Sequence, residues 1–483
     1  MAAKLALGRL RSMLDESLFP DAPPPPRLTL RRTVVFGGLA LAGIAIQLAR
    51  LWSSKPLDTL WAEDGHIWLA DATRRSLPDS LTTPYFGYIQ LLPRIIAEPV
   101  SKLSVHGYAP AMAVAGAALV TLSAFVVWRA SSGHIESAFL RGALALMVVL
   151  LPIVGVEGLD NVTITPWYLL FASFWLLLWR PTRLASAVGA GCLLFLCALS
   201  TVGVLVLLPL WLLRLITVRS RNDTIILTGL AVGLAFQLAL SWNSRDLIGE
   251  EGAAPLFIAA PHSNAIFQIV PGVHISDTPF TPHWDWSMLP AYAQRVVGGA
   301  VTGQVITGDL WELLGTPFEI LLAIGLVAFV IFAIARNDPR TRVFIPLAVG
   351  TSLALFLLSG VSRGYGSAFL WPHGSSNSHL SHWMIVPTLL LLSALVVQLD
   401  IRPNSVPAIT WGRLRAGVVL FVLVSALVSF DVSDPSVRGS PTWSSALDAG
   451  RSECSRTEAT AVQVPINPAL LGFRMPLACS ELR

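Results

Sequence analysis

About eleven long apolar runs divide the sequence and constrain its fold more than any other feature. A helix needs about 20 apolar residues to cross a bilayer, and somewhat fewer where it is buried among neighbours. With 54% hydrophobic residues, 13% charged residues and a mean hydropathy of +0.65, the chain is too apolar for a water-soluble protein. The runs therefore predict an all-α polytopic membrane protein. They cover residues 34–52, 108–128, 141–156, 166–180, 184–199, 202–217, 224–241, 317–335, 342–359, 382–399 and 414–430.

The basic residues between the runs predict how the chain crosses the membrane. Arginines follow every second run, which places those connections and the N-terminus on the cytoplasmic side. We expect a cytoplasmic tail over 1–33, with no signal-peptide cleavage site, a transmembrane domain over 34–430 and an extracytoplasmic tail over 431–483. The net charge of +4 is scattered, so we expect no nucleic-acid partner. The outer loops of the transmembrane domain are 53–107, 242–316 and 360–381.

The four cysteines fall into two classes. Cys192 and Cys197 lie in an apolar run and are typical of small core residues, whereas Cys454 and Cys479 lie in the polar C-terminal tail. An oxidising exterior favours a disulfide between the latter two, which would stabilise a small outer cap by roughly 3 kcal/mol. Two free thiols are the alternative.

Acidic residues cluster directly after the first run, in the stretch LWAEDGHIWLADA over 60–72. At the bilayer centre Glu63, Asp64 and Asp71 would each cost about 2.5 to 3.5 kcal/mol, whereas at the interface the cost is small. Trp61 and Trp68 flank the acids as interfacial aromatic residues do. The stretch predicts either a site at the outer membrane surface or a solvated helix cap.

The next stretch, 84–103, predicts an amphipathic helix along the membrane surface, kinked by Pro93 and Pro99. Arg94 and Lys102 would lie near lipid headgroups, either to bind a phosphate or as ordinary snorkelling side chains.

Two further outer segments carry candidate sugar-binding residues. Glu157, Asp160 and Asn161 precede Trp167, and together they predict either a second acidic patch with a stacking ring or a loop cap with an interfacial aromatic residue. Trp284 and Trp286 flank Asp285 in the large loop and are open to the same two interpretations. The outer histidines lack the spacing of a zinc site.

The acidic pair of the first loop, the amphipathic YFGYIQLLPRIIAE, the outer EGLDNVTITPWYLL and the many spans resemble bacterial membrane glycosyltransferases of the GT-C superfamily. The resemblance implies a glycosyltransferase of the cell membrane that takes a hexose or pentose from a polyprenyl-phosphate donor. It also implies a glycan, lipid or protein acceptor at the outer face, with membrane lipids around the donor. Where such enzymes carry an arginine-tyrosine pair, this chain has His382 and Trp383.

The resemblance also implies roles for individual residues. Asp64, or failing it Glu63, is the catalytic base, and Arg94 or Arg363 stabilises the leaving phosphate. A divalent cofactor, Mg²⁺ or Mn²⁺, stays open, because two adjacent carboxylates do not define a metal site. The remaining expected substrate contacts are His66, Tyr88, Asp160, Asn161, Trp167 and His382.

A transporter or flippase for a lipid-linked glycan is the main alternative. Such a protein should show internal repeats and ionisable groups at mid-membrane. The sequence has no evident repeat, and its ionisable residues gather on one predicted face. A noncatalytic scaffold and a glycan polymerase are further alternatives. The pattern favours chemistry at a surface over passage across the membrane.

Overall fold

The structure, a computed structural model, describes residues 11–24, 29–85, 87–243, 284–335, 338–363, 381–403, 405–432, 440–457, 459–469 and 472–483. The described chain is mainly helical. Besides a helical stretch over 11–17, its α-helices are α1 Leu30–Arg50, α2 Ala70–Arg74, α3 Leu77–Thr82, α4 Leu91–Val100, α5 Tyr108–Ala130, α6 Ala138–Leu150, α7 Thr165–Leu178, α8 Leu184–Ala198, α9 Leu208–Ile216, α10 Arg221–Asn243, α11 Met288–Ala291, α12 Gly299–Leu314, α13 Thr316–Ala335, α14 Pro339–Arg363, α15 Ile385–Asp400, α16 Ala408–Val428, α17 Trp443–Arg456 and α18 Cys479–Leu482.

Seven helical segments in the described part of the chain are long and apolar enough to cross a bilayer. Four shorter apolar segments accompany them, and each of the eleven predicted runs overlaps one of the two sets. Leu39, Ile324 and Leu420 on α1, α13 and α16 are 54%, 60% and 62% exposed. Exposed apolar faces of this kind suit lipid rather than water, so the chain is a membrane protein. The long segments are Leu30–Arg50, Val105–Gly133, Arg221–Ser241, Thr316–Ala335, Pro339–Ser362, Ser381–Asp400 and Ala408–Val428, and the short ones are Ala138–Leu150, Thr165–Leu178, Leu184–Ala198 and Val202–Ile216.

The centre of the bundle is formed by α7 and α15, in which nearly every residue is buried. Both helices are apolar on all sides, which is typical of a helix surrounded by other helices. α8 packs closely on α10 through Gly191 and Gly229, since a side chain at Gly229 would lie 2.2 Å from the Gly191 carbonyl oxygen. The N-terminal ends of α7 and α15 lie together at one end of the bundle, where the Trp167 and Trp383 rings are in contact.

Part of the predicted outer loop 242–316 belongs to the core. Residues 288–314 form α11, a π-helix over Tyr292–Gly298 and α12, and residues 291–300 are buried without a break. The sequence did not predict this segment, because its small and polar residues make its apolar pattern short and irregular. α12 is kinked at Gly303, whose φ of 73° favours glycine.

The first outer loop contains a π-helix over Asp64–Leu69, followed by α2, α3 and α4. The predicted helix over 84–103 is shorter than expected, because the chain turns back between Tyr85 and Tyr88 and α4 begins at Leu91. Pro93 lies in the first turn of α4, where its missing N–H costs nothing. α4 buries one face and exposes Ile95 on the other, so it is amphipathic.

The C-terminal tail folds into a cap of residues 440–483. It contains α17, α18 and a two-stranded antiparallel sheet, β1 Ala461–Pro465 with β2 Arg474–Ala478, which the all-α prediction did not include. The predicted disulfide between Cys454 and Cys479 is confirmed.

The cap and the first outer loop share a second hydrophobic core, so the two segments lie on the same side of the bundle. Leu60, Trp68 and Leu69 from the loop meet residues of the cap there. The buried residues that the cap contributes are Trp443, Ala446, Leu447, Val462, Val464, Ile466, Met475, Leu477, Cys479 and Leu482.

Residues 11–24 of the predicted cytoplasmic tail pack against the opposite end of the bundle. Leu14, Leu18 and Phe19 are buried in the main core, and Asp15 forms a 2.8 Å ion pair with Arg180. Arg129 also donates to the Pro23 carbonyl oxygen. This part of the tail is therefore integral to the fold.

Candidate functional site

The two adjacent acids of the first loop have different environments. Asp64 is buried, and its carboxylate accepts bonds from the Val162 N–H at 2.9 Å, the Thr163 N–H at 3.1 Å and the Thr163 hydroxyl at 2.8 Å. Burial raises the pKa of Asp64 to about 7, against the effect of these donors. Asp64 thereby binds the π-helix to the loop that leads into α7.

The loop over 156–164 is held by its own side chains as well. Asn161 donates to the carbonyl oxygens of Glu157 and Leu159 and accepts from the Ile164 N–H. Gly116 on α5 lets the loop approach, because a Cβ there would lie 2.9 Å from the Asn161 carbonyl oxygen. The Asn161 amide therefore forms its hydrogen bonds within its own loop, which agrees with the loop-cap interpretation.

Glu63 is only partly buried, and it lies among ionisable groups. The Tyr85 hydroxyl donates to its carboxylate at 3.5 Å. Burial raises the pKa of Glu63; the charges of His382 and His66 oppose this rise, and the charge of Glu157 adds to it. A partly exposed carboxylate with a raised pKa has the properties of a general base.

His382 and Glu157 form an ion pair next to Glu63. The Nδ1 atom of His382 lies 3.0 Å from the Glu157 carboxylate, and the two side chains are 21% and 24% exposed. This contact orients the imidazole and leaves Nε2 as its second polar atom. His382 comes from the short 3₁₀ helix Ser381–Met384 ahead of α15, so three separate segments converge here.

A buried arginine lies near the pair of His382 and Glu157. Arg295, on the π-helix Tyr292–Gly298, is close enough to Glu157 for their charges to interact. Burial lowers the pKa of Arg295 to about 10, so the guanidinium stays charged at neutral pH. The site therefore contains two carboxylates, a histidine and an arginine.

Aromatic rings form one side of the site. The Trp167 ring lies 4.8 Å from that of Trp383 and 6.3 Å from that of His382, measured between centroids. Sugar rings stack on such surfaces through their C–H faces. Trp167 and His382, both expected from the sequence, are thus in contact.

Arg94 lies apart from these residues. It is buried, donates to Asp71 at 2.8 Å and to the Ser80 carbonyl oxygen at 2.6 Å, and stacks over the Trp68 ring. Burial lowers the pKa of Arg94, and the ion pair with Asp71 opposes that shift. The arrangement makes Arg94 an internal connection between α4 and α2.

Three more of the residues expected to contact substrate have partners elsewhere in the protein. His66 Nδ1 lies 2.6 Å from the Arg474 carbonyl oxygen of the cap. The Tyr88 hydroxyl accepts a bond from Gln90 at 3.1 Å. Asp160 has a φ of 50°, and its buried carboxylate lies near Arg50. Burial raises the pKa of Asp160 to about 7, against the charge of Arg50.

The Arg363 side chain and the outer residues 244–283 and 364–380 lie outside the described residues. Three features of the site were not predicted from the sequence: Arg295, Tyr85 and the pairing of Glu157 with His382. Arg295 carries no pattern that distinguishes it, whereas Glu157 follows the apolar run 141–156 and His382 begins the run 382–399, both on the same predicted face.

The described acids do not by themselves form a metal site. No three His, Cys, Asp or Glu side chains converge as metal ligands within the described ranges. The oxygens of Asp64 already accept three hydrogen bonds, and Glu157 is paired with His382. We therefore assign no step to a metal.

No protein-family model matches the chain, and no curated protein is significantly similar in sequence. Among solved structures, the chain is similar to the archaeal oligosaccharyltransferase AglB from Archaeoglobus fulgidus, in complex with an inhibitory peptide and a dolichol-phosphate. The two share 11% sequence identity with a TM-score of 0.40, over 88% of this chain and 58% of that one. The chain thus spans less than two thirds of that enzyme's length, and a likeness at this level assigns no function.

Proposed function

We propose that the chain is a membrane glycosyltransferase with Glu63 as its general base. It moves a hexose or pentose from a polyprenyl-phosphate donor to a glycan, lipid or protein acceptor of the cell envelope. The orientation expected from the arginines places this site on the outer face, with the N-terminus in the cytoplasm and the C-terminal cap outside.

One observation carries the proposal. A partly exposed carboxylate lies beside a histidine–glutamate pair and an aromatic surface, at the end of a bundle that lipid surrounds. A lipid-borne sugar phosphate presents its reactive carbon at this level of the membrane. General acid–base chemistry, charge stabilisation and sugar stacking are then available in one place.

The reaction that these groups support is a single displacement. The Glu63 carboxylate takes the proton of the acceptor hydroxyl while the hydroxyl oxygen bonds to the anomeric carbon. The bond from that carbon to the phosphate oxygen breaks, and its electron pair leaves with the lipid phosphate. Glu63 suits this role better than Asp64, because the oxygens of Asp64 are occupied by the 162–163 loop.

The developing charge on the phosphate needs a positive partner. Protonated His382, oriented by Glu157, and the buried Arg295, whose charge interacts with that of Glu157, can provide it. We propose them in place of Arg94, since Arg94 is paired with Asp71. Arg363 stays a second candidate from the sequence.

Transfer from a panel of radiolabelled polyprenyl-phosphate sugars to cell-envelope acceptors, measured with purified wild-type protein, tests the proposal. We expect transfer with at least one donor. Binding of the donors with no transfer across the panel would contradict an enzyme and favour the flippase alternative. Movement of the labelled lipid between the leaflets of proteoliposomes would then identify a transporter.

A further inference from the structure

The C-terminal cap contacts the acid-bearing turn on both sides of Glu63 and Asp64. Before the acids, the N–H of Asn467 in the cap donates to the Leu60 carbonyl oxygen at 3.0 Å, and the Ala62 N–H of the turn donates to the Asn467 carbonyl oxygen. His66 then contacts the Arg474 carbonyl oxygen at 2.6 Å, with its ring against Phe473. The turn is therefore fixed to the cap before and after its acids.

The packing at this contact is close. A Cβ added at Gly65 would lie 2.8 Å from Cδ1 of Ile466 and 2.7 Å from Cδ2 of Leu60. Ile466 is buried in the core that the cap shares with the loop. A side chain at position 65 would therefore displace the ends of the Leu60 and Ile466 side chains, and with them the contact between the turn and the cap.

We infer that the cap is a positioning element for Glu63, and that Ile466 and Asn467 act on the reaction through the acid-bearing turn. This inference rests on the proposed function. His382 and Trp167 come from the starts of α15 and α7 rather than from this turn. Loosening the cap should therefore displace the base while the groups proposed to hold the donor stay in place.

Such a displacement has a distinct kinetic result. A misplacement of about 1 Å can cost about 100-fold in rate, because general-base catalysis depends on hydrogen-bond reach. We expect Gly65→Ala to lower the transfer rate at saturating donor by about 10-fold to 100-fold. The KM for the donor should change little.

A paired substitution separates positioning from general damage. Ile466→Val deletes the Cδ1 atom, which is the cap atom that lies 2.8 Å from the added methyl group. The double variant Gly65→Ala with Ile466→Val should therefore recover part of the lost rate, which independent defects would not do. Leu447→Val, elsewhere in the cap core, is the matched control and should not restore Gly65→Ala. Additive losses in the double variant, or a wild-type rate in Gly65→Ala, would overturn the inference.

A second measurement needs no activity and applies if Gly65→Ala fails to fold. Replacing Cys454 and Cys479 by serine removes the disulfide that joins α17 to α18. Hydrogen exchange should then become faster over residues 60–66, since Ala62 donates its N–H to the cap. Unchanged exchange there would also overturn the inference. Absence of transfer in the wild type would instead contradict the proposed function, so the two failures are distinguishable.

Discussion

At the scale of single residues, the two neighbouring acids have different environments because their hydrogen-bond partners differ. Asp64 is surrounded by donors from the 162–163 loop, whereas Glu63 is partly exposed and meets His382, Glu157 and Tyr85. Two adjacent positions on a helix point in different directions, so a pair of acids rarely serves one site equally. The geometry favours Asp64 as a structural clamp and Glu63 as the reacting group.

Asp64→Ala tests the clamp. The substitution leaves two backbone N–H groups and the Thr163 hydroxyl without their acceptor in a buried position. We expect the free energy of unfolding to fall by about 1 to 3 kcal/mol, seen as a lower melting temperature in detergent. Glu63→Ala is the matched control and should melt near the wild type. An Asp64→Ala protein that melts normally yet transfers no sugar would return the role of base to Asp64.

The pH dependence of transfer follows from the raised pKa of Glu63. A base must be ionised, so the rate should fall as the pH drops through this pKa. The acidic limb of the rate profile should therefore lie above pH 4.5, the ordinary value for the group. The profile is measured at saturating donor, with Glu453→Gln as a control on the exposed face of the cap. An acidic limb at or below 4.5 would contradict Glu63 as the base.

At the scale of elements, buried charged side chains bind the ends of the short helices. Arg214 donates to the carbonyl oxygens of Leu176 and Trp179 at the C-terminal end of α7 and pairs with Asp223 at 2.8 Å. Asp400 accepts the N–H groups of Glu136 and Ser137 ahead of α6. Where a helix ends inside a bundle, its terminal N–H and C=O groups cannot bond to water, so side chains must bond to them.

Arg214→Met should therefore be costly. Removing the guanidinium leaves Asp223 and the α7 carbonyl groups buried with fewer partners, and breaking a buried pair costs about 3 to 5 kcal/mol. We expect a large fall in melting temperature. Arg340→Met is the matched control, because Glu136, its partner, is 77% exposed and such surface pairs contribute about 0 to 1 kcal/mol. Equal melting temperatures for the two variants would contradict this account of α7.

At the scale of the whole molecule, the sequence predicted the features that depend on apolar content. It did not predict the segments whose positions depend on contacts between distant residues. The apolar runs identified the helices of the bundle, and the polarity of the tail identified the Cys454–Cys479 disulfide. The helical segment 288–314, which is buried over 291–300, was missed, because its polar residues find partners only in the folded protein. The packing of tail residues 11–24 against the bundle was not predicted for the same reason, because Asp15 pairs with Arg180, which lies far along the chain.

The candidate site was predicted in part. Acids on one predicted face pointed to the loop that contains Glu63, and the expected residues Trp167 and His382 lie together. The sequence could not rank Glu63 against Asp64, since that choice depends on the position of the 162–163 loop. Nor could it show that Arg94 is paired with Asp71, while Arg295 lies by Glu157.

The most direct test of the central claim compares Glu63→Gln with Glu453→Gln, measuring donor binding and single-turnover transfer separately. Loss of a general base costs about 100-fold to 10,000-fold. We predict such a loss of rate for Glu63→Gln, with donor binding near the wild-type value and no change for Glu453→Gln. Transfer by Glu63→Gln at the wild-type rate would contradict the account.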